Sequence, residues 1–265
     1  MPRANRHFLP DYLWHITHRC HQRKFLLKFA RDRRRYLHWL FEAKKRVGLS
    51  VLNYRVTSNH VHLLVKDTGP NVIARSMQLI ASRTAQEYNQ RKMRHGAFWE
   101  DRYHATAIDS DEHLHRCLIY SDLNMVHAGA VKHPSERAHC GYSEIQKPRE
   151  RYTIVDLPKL SGLCGFREVA KFQQPYRQWI SEALSREIGG RDERWSEAIA
   201  VGDFTFVDKV KSELGFKTVH RRLTEVTGTY TLREESEPYS ANFIHESEGL
   251  RLENTILWEK NVEIT

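Results

Sequence analysis

Only Ser58 and Asn59 separate two runs patterned as strands, Ser50 to Thr57 and His60 to Val65. A link so short and turn-prone predicts an antiparallel hairpin, because a parallel pair needs a crossover of a dozen or more residues. In the second run, Asn59-His60-Val61-His62-Leu63-Leu64-Val65, strand alternation puts His60 and His62 on one face and Val61 on the other. Two neutral imidazoles side by side can hold one divalent ion and leave most of its coordination sphere to a carboxamide, water and a substrate oxygen. The same pair also suits two hydrogen-bonded strand histidines, so the motif needs a second half from elsewhere in the chain.

The segments around the hairpin follow a regular order. Tyr12 to His18 alternates as a strand, and Asp32 is placed to cap a helix whose Tyr36, Leu37, Leu40, Phe41 and Val47 recur at helical spacing. After the hairpin, Gly69-Pro70-Asn71 leads into a helix with Ile73, Met77, Ile80, Thr84 and Tyr88 along one stripe, and Tyr103 to Ile108 reads as a fourth strand. The order β-α-β-β-α-β predicts an α+β, ferredoxin-like split βαβ sheet with both helices on one face and the other face open to nucleic acid.

Charge is divided unequally. Residues 1–150 hold 26 Lys/Arg against 14 Asp/Glu, a net of +12, whereas residues 151–265 hold 16 against 19, a net of −3. A basic excess spread over the first half, including Arg31, Arg33, Arg34 and Arg35, fits a polyanionic partner, since neutralised phosphates release counterions. No apolar run reaches the roughly 18 residues that span a bilayer, and the first residues lack the apolar core of a secretion signal, so no membrane partner and a cytoplasmic location are expected. Cys20, Cys117, Cys140 and Cys164 stand far apart, which indicates reduced thiols instead of a disulfide framework or zinc knuckle.

Asp109-Ser110-Asp111-Glu112 starts a further helix, running to about His127 before Ala128-Gly129. His113, Arg116, Tyr120, Asn124 and His127 share one stripe at spacings of three and four. A solvated face carrying an incidental phenol is one account of this stripe. Chemistry supplies another, in which Tyr120 is a nucleophile, Asn124 one turn later is a carbonyl ligand, and Arg116 stabilises phenolate or phosphate.

Three motifs together resemble the single-tyrosine HUH transposases, in particular the branch associated with repetitive extragenic palindromes (REP): Asn59 to Val65, Gly96-Ala97-Phe98-Trp99-Glu100-Asp101-Arg102-Tyr103, and Ile119-Tyr120-Ser121-Asp122-Leu123-Asn124-Met125-Val126-His127-Ala128-Gly129. The resemblance spans residues 8–145 and implies that His60 and His62 bind Mg²⁺ or Mn²⁺ with Asn124 as third ligand. It implies that Tyr120 attacks single-stranded or hairpin DNA and forms a 5′-phosphotyrosine. Ser58 stands where the family usually has Pro. Asn124-Met125-Val126-His127-Ala128 replaces a common Asn-Pro-Val-Arg-Ala, so the nucleophile helix is expected to run on without a proline break.

An exposed nucleophile on a sheet reaches only unpaired DNA. Arg102, Lys66, Trp99 and Tyr103 are candidate backbone and stacking contacts, although Trp99 and Phe98 serve equally well as core aromatics. A homodimer is compatible with this reading. A non-catalytic DNA-binding regulator would keep the basic half without needing Tyr120, and a small-phosphoester hydrolase would use the histidines without a covalent DNA step.

After Lys147-Pro148-Arg149-Glu150-Arg151, helical patterning over Phe166 to Leu184 and Phe204 to Leu214, with Val219 to Val226 continuing it, predicts a helical accessory module over 152–226. Residues 227–265, with Glu234-Glu235-Ser236-Glu237-Pro238, read as a poorly patterned polar tail.

Overall fold

Six elements in the first half carry the expected order. In the computed structural model, which describes residues 9–186, 192, 194–215, 221–226 and 228–234, these are β1 (Leu13–Arg19), α1 (Ala30–Val47), β2 (Ser50–Val56), β3 (His60–Lys66), α2 (Val72–Arg91) and β4 (His104–Ile108). β2 and β3 form the predicted hairpin, with Val56 opposite Val61. β3 and β4 both pair with β1, every pair antiparallel, giving the split βαβ order β2-β3-β1-β4. Asp32 does not cap α1. It lies buried within the first turn and pairs with Arg91 of α2, so it ties the two helices together instead.

Strand alternation assigns each face. Ile16 and His18 point to the side where α1 and α2 pack against each other, and there Trp99 stacks on His18 at 4.0 Å and meets Tyr36 at 6.2 Å. His15 and Thr17 of β1 share the other face with His62 and Leu64, their partners in register. That face was expected to be open, and it is covered. α3 (Glu112–His127) lies against β2 and β4, and α7 (Arg194–Glu197) lies against β1 and β4. Closure of this face buries His15, His62 and Thr106.

Residues 152–226 were expected to form a helical module, and in part this segment is helical: α5 (Leu157–Leu163), α6 (Val169–Ser185) and α8 (Phe204–Leu214) follow the short α4 (Gly141–Gln146). It also extends the sheet. β5 (Ala200–Gly202) runs parallel to β4, and β7 (Thr229–Glu234) and β6 (Arg221–Val226) follow as antiparallel neighbours, giving the seven-stranded order β2-β3-β1-β4-β5-β7-β6. Arg221 to Val226 is thus strand where a helix was expected, and residues 229–234 are strand where a polar tail was expected. Strand β6 is the sheet edge and largely exposed, so it carries polar residues and little apolar periodicity from which to read it. Val219 and residues 235–265, including Glu235-Ser236-Glu237-Pro238, lie outside the described residues.

The four cysteines are free, as their spacing indicated, and all four are buried. Among the described residues no helix is long and apolar enough to cross a membrane.

Candidate active site

The site is assembled where β3 begins, just after the hairpin turn, and α3 lies against the sheet. Arg55, a charged residue near the end of buried β2, sits opposite His62 in register and so points to the same face. Its guanidinium donates from Nε to the Ser121 carbonyl at 2.7 Å and from Nη2 to the Asp122 carbonyl at 2.5 Å, and it lies 3.8 Å from the Asp122 carboxylate. The Asp122 carboxylate in turn accepts from the Tyr176 hydroxyl at 2.6 Å and from Asn53 Nδ2 at 3.1 Å. Burial pushes the Asp122 carboxyl up, opposed by Arg55 and then by the hydrogen bonds of Tyr176 and Asn53. The network pins the turn of α3 that carries Tyr120 to the sheet. Gly141 completes it, because a Cβ there would come within 2.0 Å of Asn53 Oδ1.

With α3 held in this way, His60, His62, Tyr120 and Asn124 line one pocket of about 320 Å³, all from a single chain. The His60 and His62 ring centroids are 4.9 Å apart with planes at 84°, and the Tyr120 ring stands 6.2 Å from His62 at 85°. Asn124 lies one helical turn beyond Tyr120 on the same stripe. Arg19, Arg23, His127 and Ser196 complete the wall, so cationic side chains from β1 and the loop after it edge the pocket. As the absence of proline predicted, α3 continues through Met125 to His127.

His60 is held from behind. Asn59 Nδ2 donates to the Arg23 carbonyl at 3.1 Å, which orients the carboxamide so that its Oδ1 accepts from His60 Nδ1 at 2.7 Å. With the proton on Nδ1, the nitrogen of His60 that carries a lone pair is Nε2. His62 has its Nδ1 3.1 Å from Nε2 of His15. Among the described residues no three His, Cys, Asp or Glu side chains gather to hold a metal. Were His60, His62 and Asn124 to hold an ion, two imidazoles and a carboxamide oxygen would be its donors, a combination that fits a divalent ion and leaves positions for water and a phosphate oxygen.

The other expected contact residues lie elsewhere. Trp99 and Tyr103 belong to the packing: Trp99 donates Nε1–H to the Ala81 carbonyl at 3.0 Å on the α1–α2 face of the sheet, and Tyr103 is buried. Sequence alternation could not say to which face these rings turn. Lys66 shares the face of His60 and His62 but lies at the far end of β3, donating to the Asp11 carbonyl. Arg102 is exposed in the loop before β4. Arg116 pairs with Glu112 at 2.5 Å and donates to Thr229 Oγ1 at 2.9 Å. It borders a second cavity, of about 850 Å³, which Tyr120, His127 and Trp195 also line. Periodicity missed His15, Arg55 and Ser196. Arg55 alone left a signal, since a guanidinium inside an apolar strand demands buried partners.

Residues 9–120 match the family model for IS200-like transposases. No curated protein matches the chain. Among solved structures, a REP-associated tyrosine transposase bound to a REP hairpin is 16% identical, over 59% of this chain and 94% of that one, with a TM-score of 0.47. A Deinococcus radiodurans R1 protein described as a transposase is 16% identical, over 39% of this chain and 83% of that one, with a TM-score of 0.31.

Proposed function

We propose, for a chain whose residues 9–120 match the family model for IS200-like transposases, that this pocket cleaves and rejoins single-stranded or hairpin DNA through a covalent 5′-phosphotyrosine. The observation that carries the reading is the meeting of His60, His62, Asn124 and Tyr120 around one pocket of a single chain. In this reading His60, His62 and Asn124 hold Mg²⁺ or Mn²⁺. The ion, when bound, supplies Lewis-acid polarisation of the scissile phosphate.

Tyr120 supplies the nucleophile. Its phenol oxygen forms a bond to phosphorus as the bond to the 3′ oxygen breaks, the phenol proton is lost to water, and the departing 3′ oxygen takes up a proton. The phosphodiester is exchanged for a phosphotyrosine ester, so a 3′-OH can later reverse the step without nucleotide hydrolysis. Arg19 and Arg23 at the pocket edge give charge complementarity to the DNA backbone. A helix pinned by Arg55 and Asp122 holds the phenol close to where the phosphate must sit, which lowers the entropic part of the barrier.

The test is incubation with a single-stranded hairpin oligonucleotide and Mn²⁺, followed by denaturing electrophoresis. A denaturation-resistant adduct that is absent in Tyr120→Phe is expected. An equal adduct yield in Tyr120→Phe overturns the assignment of the nucleophile. No adduct from the wild type, with DNA binding retained, favours a binding function over strand transfer.

A further inference from the structure

The half of the chain that the family model does not cover reaches the pocket through a residue outside all three motifs. His15, in the middle of β1, is completely buried. Its Nδ1 lies 2.5 Å from the carbonyl oxygen of Trp195 in α7, and its Nε2 lies 3.1 Å from Nδ1 of His62. The two imidazoles are within 9° of parallel, with centroids 5.1 Å apart, so they meet edge to edge and the nitrogens face along the ring planes.

The proton positions along this row follow from elementary rules. A carbonyl oxygen only accepts, so His15 Nδ1 carries a hydrogen and donates to Trp195. His15 is completely buried with no carboxylate among the described residues hydrogen-bonded to it, and a buried imidazole without an anionic partner stays neutral. A neutral imidazole protonated on Nδ1 has a bare Nε2, so His15 Nε2 accepts and His62 Nδ1 donates. The remaining nitrogen of His62, Nε2, then bears the lone pair.

We infer that His15 is a positioning residue that fixes His62 with its proton on Nδ1 and its Nε2 lone pair available to a divalent cation, the row being anchored on the Trp195 backbone carbonyl. His60 is treated in the same way by Asn59 and the Arg23 carbonyl. Each ligand imidazole is thus linked through a side chain to a main-chain oxygen, and His60 Nδ1 also lies 3.0 Å from Thr57 Oγ1. The segment bearing α7 acquires a role in the site: it supplies the carbonyl that sets the tautomer of a ligand contributed by β3. Outer hydrogen bonds of this kind fix ring orientation and raise ligand basicity, and their loss typically lowers metal affinity about 10–100-fold.

The cation arm of this inference rests on the metal reading of the pocket, and the experiment separates the two. Long-range ¹H–¹⁵N spectra of the metal-free wild-type protein report the His62 tautomer, and calorimetric titration with Mn²⁺ reports affinity. The expected results are a protonated Nδ1 on His62, Mn²⁺ affinity about 10–100-fold weaker in His15→Phe, and recovery of most of it in His15→Gln, whose carboxamide again offers His62 an acceptor. A His62 tautomer protonated on Nε2, or Mn²⁺ binding by a folded His15→Phe protein as tight as wild type, overturns the inference. If His15→Phe does not fold, the wild-type tautomer and the His15→Gln affinity decide it. A wild-type protein with the expected tautomer but no Mn²⁺ binding upholds the hydrogen-bonded row and overturns the metal reading.

Discussion

His62 on strand β3 and Tyr120 on helix α3 face each other with ring centroids 6.2 Å apart and planes at 85°, although 58 positions separate them in the chain. No second copy is needed to bring the phenol to the imidazole pair. Their meeting depends on how α3 is fastened, and part of that fastening is a buried polar network.

Arg55 is the centre of the attachment. Its replacement by Met would leave two main-chain carbonyls of α3 without their donor and the buried Asp122 carboxyl without its cationic neighbour. Removing one partner of a buried pair typically costs about 3–5 kcal/mol. Urea denaturation of Arg55→Met is expected to show a loss of that size, and a loss under 1 kcal/mol would mean that α3 is held by apolar packing alone.

Asn124 is read as an oxygen donor. Asn124→Asp keeps a hard oxygen at the same position and is expected to retain or tighten Mn²⁺ binding, whereas Asn124→Leu is expected to weaken it at least tenfold, on the order of 1.4 kcal/mol. Calorimetric titration checks this. Equal affinities for Asn124→Leu and the wild type would remove Asn124 from the ligand set.

Acid sensitivity has an identifiable source away from the pocket. His139 is half-buried and its basicity is lowered to about 4, first by desolvation and then by Arg33, Arg34, Arg149 and Arg137. Because its folded pKa lies below the ordinary value of about 6.5, the unfolded chain binds the proton more readily. Stability is therefore intact above about pH 6.5 and declines as pH falls toward 4. Solvent screening at a half-exposed site limits the effect to on the order of 1 kcal/mol. Denaturation of wild type and His139→Gln from pH 7 to 4.5 is expected to show a shallower decline in the variant. Parallel curves would contradict the assignment.

Much of this arrangement was legible in the residues. Periodicity alone placed β1 to β4, α1, α2 and α3, since each has a regular stripe or alternation and a clear turn signal. The His60–His62 pair and the Tyr120–Asn124 stripe were visible because both elements have short, strict repeats. Which elements share a face was not visible. His15 joins His62 only through the β1–β3 register, a tertiary fact that alternation within one strand does not contain. Trp99 and Tyr103 turned to the packed side for the same reason. β5 is three residues long and β6 is an exposed edge, so neither offered a hydrophobic pattern long enough to read.

The central claim is that one pocket joins a metal-ligating imidazole pair to a nucleophilic phenol. Its most direct measurement is mass spectrometry of the proteolysed, nuclease-trimmed product formed with hairpin DNA, with and without Mn²⁺. The account predicts a 5′-phosphonucleotide on the peptide containing Tyr120, present with Mn²⁺ and absent both without it and in the His60→Ala, His62→Ala double variant. A nucleotide attached to any other residue, or to Tyr120 in equal yield without the cation, would contradict it.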